Sequence, residues 1–567
     1  MQLATLIRSL DVIESRGTMD IAIEDISYHS NLVKQGDLFV AIPGTKRDGH
    51  HYITESIARG ARAVIVEHIP SEPLDVPVVS VADTREALAR ISAEFYSHPS
   101  RELTLVGITG TNGKTTTAYV IESILKAAGR QVGVIGTINY RIRGKERPAP
   151  TTTPQSYDLQ RLLREMVTDG VQDAVMEVSS HALDQRRVRG CHFDVGVFTN
   201  LSPEHLDYHE DMDRYFAAKK RFFQEILVET DKEPWAIINL DDPLLREFQR
   251  ELSPLKGMTY GLDRGEVRAS RREVSLSGIR ATMTTPAGTL EIQAPLIGEY
   301  NLSNIMAATA VGIALGITPA AIRQGIEDLS QVPGRMERVG TGNPWILVDY
   351  AHTPDALEKT LKEIKRLARG RVLVVFGCGG DRDKSKRAPM GKIAAQWSDL
   401  AIITSDNPRT EQPLKIIEEI EKGAGEVRSQ NYRVIPDRRE AIKQAVALAG
   451  PHDIVLITGK GHEDYQIIGE ERFPFDDREE ARKAVSAIQS HRAGFHTRHS
   501  VCTLATQSQV GNRARDSLCA VLFSSPCEVN VSMDIALSLK RSEEGGGGQW
   551  LTSTISMLQM KPSPSFR

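Results

Sequence analysis

The sequence predicts an α/β protein built from several domains, and three observations predict it. Apolar runs of strand length alternate with helical segments, beginning with "LTLVGIT" followed by "KTTTAYVIESILKAAG". Such alternation indicates a parallel sheet covered on both faces. The alternation runs as two series, one from about residue 97 and another from about residue 335. At 567 residues the chain also exceeds what a single core holds, so three or four domains are expected.

The elements follow in order. The first 95 or so residues carry short strand-like runs, "GDLFVAI" and "ARAVIVE", separated by Gly, Asp and His turns. In the series from about residue 97, "QVGVIGT", "DAVMEVSS" and "VGVFTN" follow the opening strand and helix. After "VPGRMERV" come "WILVDY", "RVLVVFGCGG", "LAIITSDN" and "DIVLITGKG", each running into a polar or glycine-containing turn. Ligands of open α/β sheets sit at such carboxyl ends. The expected layout is therefore two adjacent α/β domains facing a shared cleft. The division is 1–96, 97–332 and 333–490, with a tail of 491–567. That tail is Ser/Thr-rich and aperiodic and reads as a disordered or foreign appendage with no assigned function.

Composition excludes several classes. With 40% hydrophobic and 25% charged residues and a formal net charge of −4, nothing pulls the chain toward nucleic acid or an anionic membrane. The opening "MQLATLIRSLDVIESRG" meets acidic residues too early for a secretory signal. No stretch approaches the ~18 to 20 apolar residues of a bilayer span. Five cysteines without CxxC spacing argue against a disulfide frame or a thiolate zinc site. A cytoplasmic enzyme, expected to be monomeric, is the default.

The sharpest motif is "GITGTNGKTTT" at residues 107–117. Its Gly107 lies six positions before Gly113, one more than the G-x-x-x-x-G-K spacing of the common phosphate loop. Gly110, Thr111, Asn112, Gly113, Lys114, Thr115 and Thr116 can still form such a loop. Glycines let backbone N–H groups close on phosphate oxygens at a helix N-terminus. Lys114 would reach the β- and γ-phosphates, with the Thr115 hydroxyl on Mg²⁺. The competing reading, a glycine turn that merely starts a helix, does not account for a buried strand, a GKT triplet and a helix together. The loop alone leaves motors, switches, kinases and ligases open.

Glu177 of "VMEVSSHAL" and His205 of "NLSPEHLDYH" could hold a divalent cation, although Mg²⁺ prefers all-oxygen ligands. Either residue alone is more often a solvated loop residue. In "DMDRYFAAKKRFFQEIL" the residues Tyr215, Phe216, Phe222, Phe223, Ile226 and Leu227 define one helix face. Lys219 falls within about 10° of the centre of that face, with Lys220 at its edge. An isolated ammonium there is costly, so the amine should titrate low and could add CO₂ to become a carbamate. The pattern alone favours the alternative, a lysine whose stem lies on apolar surface while its head reaches water.

Taken in order, "TGTNGKTTT", Glu177, His205, the "AAK" lysine, "GEYNLSNIMAA", "VPGRMERV" and "VDYAHTPDAL" resemble the ATP-dependent Mur ligases over residues 1 to about 490. The longer glycine spacing is normal in that family. The resemblance implies a three-domain architecture: an N-terminal UDP-sugar-binding domain, a central P-loop parallel-sheet domain and a C-terminal Rossmann-like domain. It also implies ATP-driven amide formation through an acyl phosphate on the D-glutamate of UDP-MurNAc-L-Ala-D-Glu. On this resemblance Thr115, Glu177, His205 and Lys219, the last as its N6-carboxy derivative, serve two Mg²⁺ ions. Lys114, Lys219, His205 and Glu177 are the implied catalytic set. Asn301, Asn304, Arg335, Asp349 and His352 join the ATP site. Ser30, Thr152, Thr153, Ser179, Gln185 and Arg187 contact the nucleotide-sugar substrate. One departure stands out, "HSN" at His29 to Asn31 where relatives commonly show "DSR".

"SDNPRTEQP" supplies Asp406, Asn407, Pro408 and Arg409, which resemble the signature of the subgroup adding meso-diaminopimelate. Arg409 can grip a carboxylate with two parallel bonds. Arg382, Gly459 and Glu463 match the other implied contacts, with Glu463 pairing the distal ammonium. Asp-Asn-Pro is also ordinary turn chemistry, but a turn does not require Arg409. The rivals are an L-lysine-adding relative, another Mur or folylpolyglutamate-type ligase, or a nucleotide-binding regulator without ligase chemistry.

Overall fold

A computed structural model describes residues 1–44, 47–427 and 431–488. The expectation for 491–567 lies outside the described residues. Three main sheets divide the chain. The first has five strands in the order Val12–Arg16, Val78–Val81, Ala63–Val66, Leu38–Val40 and Ile26–Ser27. Both strand-like runs read from this region are strands, trimmed by a few residues at their ends.

The second sheet has eleven strands. Its parallel heart runs Lys256–Gly261, Trp235–Asn239, Val195–Phe198, Thr104–Thr109, Asp173–Glu177 and Val132–Ile135. At one end Val267–Ser275 adds in parallel and carries two antiparallel strands, and at the other end two antiparallel strands follow Val132–Ile135. Apolar residues on both faces of this heart are buried, as continuous Val/Ile runs require. The strand Thr104–Thr109 is central, so its carboxyl end is flanked by Glu177 on one side and by Thr199 and Asn200 on the other.

The third sheet places Trp345–Asp349, Ile454–Thr458, Val372–Phe376 and Leu400–Ile403 side by side and parallel. Their carboxyl ends carry Asp349 to His352, Gly459 to Glu463, the loop with Arg382, and Asp406 to Arg409. All four predicted strands of this series are present. A short hairpin, Tyr465–Ile468 with Glu471–Pro474, lies beside them and bridges Ile468 to Arg409. Among the described residues, no helix is long and apolar enough to cross a membrane.

Gly107 explains the unusual loop spacing. It belongs to the strand Thr104–Thr109 and pairs in register with Gly196 of the neighbouring strand. A Cβ at Gly107 would stand 2.4 Å from Phe222 Cζ, and one at Gly196 would stand 3.1 Å from Phe222 Cε1. The two glycines open a slot in the sheet face into which the Phe222 ring drops. The phosphate loop proper starts at Gly110.

The helix carrying Lys219 differs in one respect from its sequence pattern. It is α-helical over Met212–Arg221 and continues as a π-turn over Phe222–Ile226. Phe222 packs edge-on against Phe193, and Phe223 stacks on Phe198 at 5.6 Å. The added residue in the turn lets both rings reach the sheet, which a uniform 3.6-residue repeat does not anticipate.

Candidate active site

The loop Gly110–Gly113 joins the central strand to the helix Lys114–Ala127. Gly113 has φ of +88°, and a Cβ there would meet Asn304 Oδ1 at 2.3 Å, so only glycine suits the position. Neighbouring segments hold the loop open: Asn112 N donates to Asn200 Oδ1 (2.9 Å) and Thr111 Oγ1 to the Ser202 carbonyl (3.1 Å). Asn304 Nδ2 donates to Asn301 Oδ1, and Asn301 Nδ2 to the Ile297 carbonyl. Both asparagines are buried and brace the loop helix, which Thr117 Oγ1 joins at 3.4 Å from Asn304 Oδ1. Thr111, Thr115 and Thr116 are buried in the same knot.

Two amines converge on one carbonyl. Lys114 Nζ donates to Gly110 O and Thr111 O, each at 2.8 Å, and Lys219 Nζ donates to Gly110 O at 2.9 Å. Lys219 is 1% exposed, with its Nζ 4.6 Å from the centre of the Tyr215 ring. Burial pushes this amine well below the ordinary lysine range, and the charge on Lys114 pushes the same way. The snorkelling alternative fails here, because the head of Lys219 turns inward to the loop. Phe222, one turn further on, is seated in the glycine slot and fixes the height at which Lys219 meets Gly110.

Glu177 stands at the carboxyl end of the next strand. Its carboxylate accepts from Thr115 Oγ1 (2.9 Å), Thr137 N (2.8 Å) and Thr137 Oγ1 (3.0 Å). From the third region Arg335 Nη2 donates to Thr115 Oγ1 at 3.2 Å, while its guanidinium lies 4.5 Å from the Tyr350 ring centre. The described residues belong to one compact unit, so this contact is internal to it. Among the described residues, no hydrogen bond joins Asp349 to the loop. It accepts from Met336 N and Ala351 N, both at 2.9 Å, and so shapes the turn that presents Arg335. His352 is half-buried and its Nδ1 lies 2.8 Å from the Tyr350 carbonyl.

His205 takes a left-handed backbone conformation, φ +58°, at the head of the short helix Leu206–His209. Burial lowers its pKa, partly offset by Glu204. Glu204 is a residue the sequence reading passed over. Burial opposes its charge, yet Lys114 above all, then His205, His352 and Lys219, hold its carboxyl below the usual range. Its signal was available only as an acidic neighbour of His205. Thr137, which gives Glu177 two of its bonds, carried no signal at all.

On the other side of Glu177 the residues expected at the nucleotide-sugar substrate gather. Thr153 Oγ1 donates to the Glu177 carbonyl (2.8 Å) and accepts from Ser179 N (3.1 Å). Arg187 donates to the Thr153 carbonyl (2.9 Å) and to Gln185 Oε1 (2.8 Å). Thr152 Oγ1 lies 3.1 Å from Thr137 Oγ1. Ser30 is placed separately, in the turn Ser30–Leu32 of the first region, beside exposed His29 and Asn31. Tyr28, two residues before it, joins the regions through a hydrogen bond to Asp158.

In the third region Asp406, Asn407 and Pro408 are buried, and Gly459 backs directly onto the Asp406 carboxylate. Arg409, at φ +51°, has its N–H on the Ile467 carbonyl (3.1 Å) and its Nη1 on the Gly380 carbonyl (2.8 Å). Arg382 is exposed on the adjoining loop. Asn407 Nδ2 donates to Glu463 Oε2 at 2.8 Å. Asp406, Glu463, Arg382 and Arg409 therefore stand on neighbouring loops at the carboxyl end of the sheet.

Family models match along nearly the whole of this arrangement. The Mur ligase family catalytic domain matches residues 22–96, the Mur ligase middle domain 108–312, and the Mur ligase glutamate ligase domain 334–461. A UDP-N-acetylmuramoyl-L-alanyl-D-glutamate–2,6-diaminopimelate ligase of Geobacter metallireducens is 48% identical over 513 residues, covering 87% of this chain and 100% of the relative. The chain belongs to the Mur ligase family. A ligase of the same description from Geobacter sulfurreducens is 45% identical, covering 87% of this chain and 100% of its own. A solved structure, also described as a UDP-N-acetylmuramoyl-L-alanyl-D-glutamate–2,6-diaminopimelate ligase, superposes with a TM-score of 0.62 at 31% identity. It spans 86% of this chain and 99% of its own. The three sheets are thus the three-domain architecture of a Mur ligase.

Proposed function

We propose that this Mur ligase joins meso-diaminopimelate to the D-glutamate of UDP-MurNAc-L-Ala-D-Glu, using ATP, in cytoplasmic cell-wall precursor synthesis. In this reading residues 1–96 take the uridine end, 97–332 take ATP and the dipeptide, and 333–490 take the amino acid. A γ-carboxylate oxygen attacks the terminal phosphorus of ATP and ADP leaves. The amine of diaminopimelate then attacks the acyl phosphate, and inorganic phosphate departs with the carboxylate oxygen. The barrier lies in bringing anions together, so fixed cations and positioning should dominate.

The protein groups fit that demand. Loop N–H groups and Lys114 would cradle the phosphates, and Arg335 would reach the transferred one. Thr115 Oγ1 and Glu177 Oε2, 2.9 Å apart, are hard oxygen donors that fit a Mg²⁺ completed by water and phosphate. His205 and Lys219 fit a second site once Lys219 carries a carbamate. Supporting that form, Lys219 is buried with no carboxylate within ion-pair distance among the described residues. Bound Mg²⁺ would neutralise developing phosphate charge. The observation that carries the reading is the bond from Arg335 to Thr115, because it brings the domain of the Arg409 pocket onto the phosphate loop.

A substrate panel tests it. Purified protein with ATP, Mg²⁺ and UDP-MurNAc-L-Ala-D-Glu is offered meso-diaminopimelate, L-lysine or D-Ala-D-Ala, and product masses are recorded. Adduct only with diaminopimelate is expected. Equal use of lysine would overturn the amino-acid assignment, and no adduct with any acceptor would overturn the ligase reading.

A further inference from the structure

Lys460 lies in the loop after Ile454–Thr458, against Asn407 and Glu463, and is fully buried, with a side-chain exposure of 0%. Its Nζ donates to Asn407 Oδ1 at 2.9 Å and to Glu463 Oε2 at 3.2 Å. The Ile467 N–H also donates to Asn407 Oδ1, at 3.0 Å. An ammonium and a peptide N–H can only donate, so the Asn407 amide has one possible orientation, oxygen toward Lys460 and nitrogen toward Glu463. Glu463 Oε2 consequently accepts from both Asn407 and Lys460. Its Oε1 has no hydrogen-bond partner among the described residues.

We propose that Lys460 is a positioning residue for amino-acid selection, its buried ammonium fixing Asn407 and Glu463 in the arrangement that leaves Glu463 Oε1 for the incoming ammonium. The inference rests on the reading of this pocket as the diaminopimelate site. The charges support it: Lys460 is the leading cation acting on both Asp406 and Glu463, Arg438 is spent on Asp477 at full burial, and Arg382 and Arg409 remain for a substrate carboxylate. Burial raises the Glu463 pKa, and Lys460 is the leading influence that opposes the rise and keeps an anion available. Stability alone does not account for the ammonium. An apolar side chain of similar volume would fill the space without its desolvation cost.

The test uses the full-length chain with Lys460→Met, Glu463→Gln and the double variant, each assayed at varied diaminopimelate and varied ATP. Lys460→Met should raise the diaminopimelate KM roughly ten- to a hundred-fold, as loss of charge-assisted bonds predicts, and leave the ATP KM unchanged. Since both residues act on one ammonium, the double variant should cost less than the product of the single effects. An unchanged diaminopimelate KM, a parallel rise in both KM values, or fully multiplicative effects would overturn the role. If Lys460→Met does not fold, Lys460→Arg keeps the charge but cannot match the point geometry. It should raise the diaminopimelate KM with an unaltered melting temperature, and an unchanged KM there would equally overturn the proposal. Wild-type protein that ligates diaminopimelate while the variants behave normally refutes this inference alone. Wild-type protein that never ligates it refutes the underlying function.

Discussion

Lys219 is where the chemistry is most exposed to a single substitution. Its amine shares the Gly110 carbonyl with Lys114, and two full ammonium charges at one oxygen in a buried site repel strongly. A neutral amine relieves that repulsion and is the form that takes up CO₂, releasing a proton. Lys219→Ala should therefore abolish ligation, and formate or acetate should restore part of it by supplying the missing carboxylate. Steady-state phosphate release with and without added acid checks this; full activity in the unsupplemented variant would remove Lys219 from the reaction. Helical phase put Lys219 on an aromatic face but by itself favoured a head reaching water; the metal-site reading came from the resemblance to the Mur ligases. Glu204 and Lys460 were not legible, since each acquires its meaning from groups distant in sequence, Lys114 and His352 for Glu204 and Asn407 for Lys460. Lys460 is charged, next to two glycines, and by pattern indistinguishable from a solvated turn residue.

At the level of elements, the seat of Phe222 in the slot between Gly107 and Gly196 sets the height of the Lys219 helix over the loop. Gly107→Ala should overpack that slot and cost about 1–3 kcal/mol of stability. It should also lower activity, because Lys219 moves with Phe222. Denaturant unfolding measures the first effect and phosphate release the second. Gly107→Ala with Phe222→Leu should recover much of both, and failure to recover either would detach the slot from the catalytic lysine. Strands and the loop were readable because contiguous apolar runs declare themselves. The slot was not, because nothing in the run "LTLVGIT" shows that Gly107 pairs with Gly196 and faces Phe222. The π-turn escaped for a related reason: ring packing against the sheet overrode the helical repeat.

Over the whole molecule, the candidate site residues lie near carboxyl ends of strands in three sheets, and the series that form the second and third sheets were plain from the repeating strand–helix pattern. What the pattern could not supply was contact between the regions. Arg335 is the clearest case, since it leaves the third region to touch Thr115 and rests on Tyr350. Arg335→Ala should lower kcat by roughly 10²–10³, the usual cost of removing one donor from a developing anion. The diaminopimelate KM should stay near its original value, because Arg335 is outside the Arg409 pocket. A rise confined to that KM would mean that Arg335 orients the amino-acid site instead.

The central claim is that the triphosphate held by the Gly110–Gly113 loop activates a carboxyl group, which an amine from the third domain then captures. Isotopic oxygen placed in the D-glutamate γ-carboxylate tests it most directly. Mass spectrometry of the released inorganic phosphate should find one labelled oxygen per amide bond formed. Phosphate free of the label, with ligation proceeding, would contradict the account.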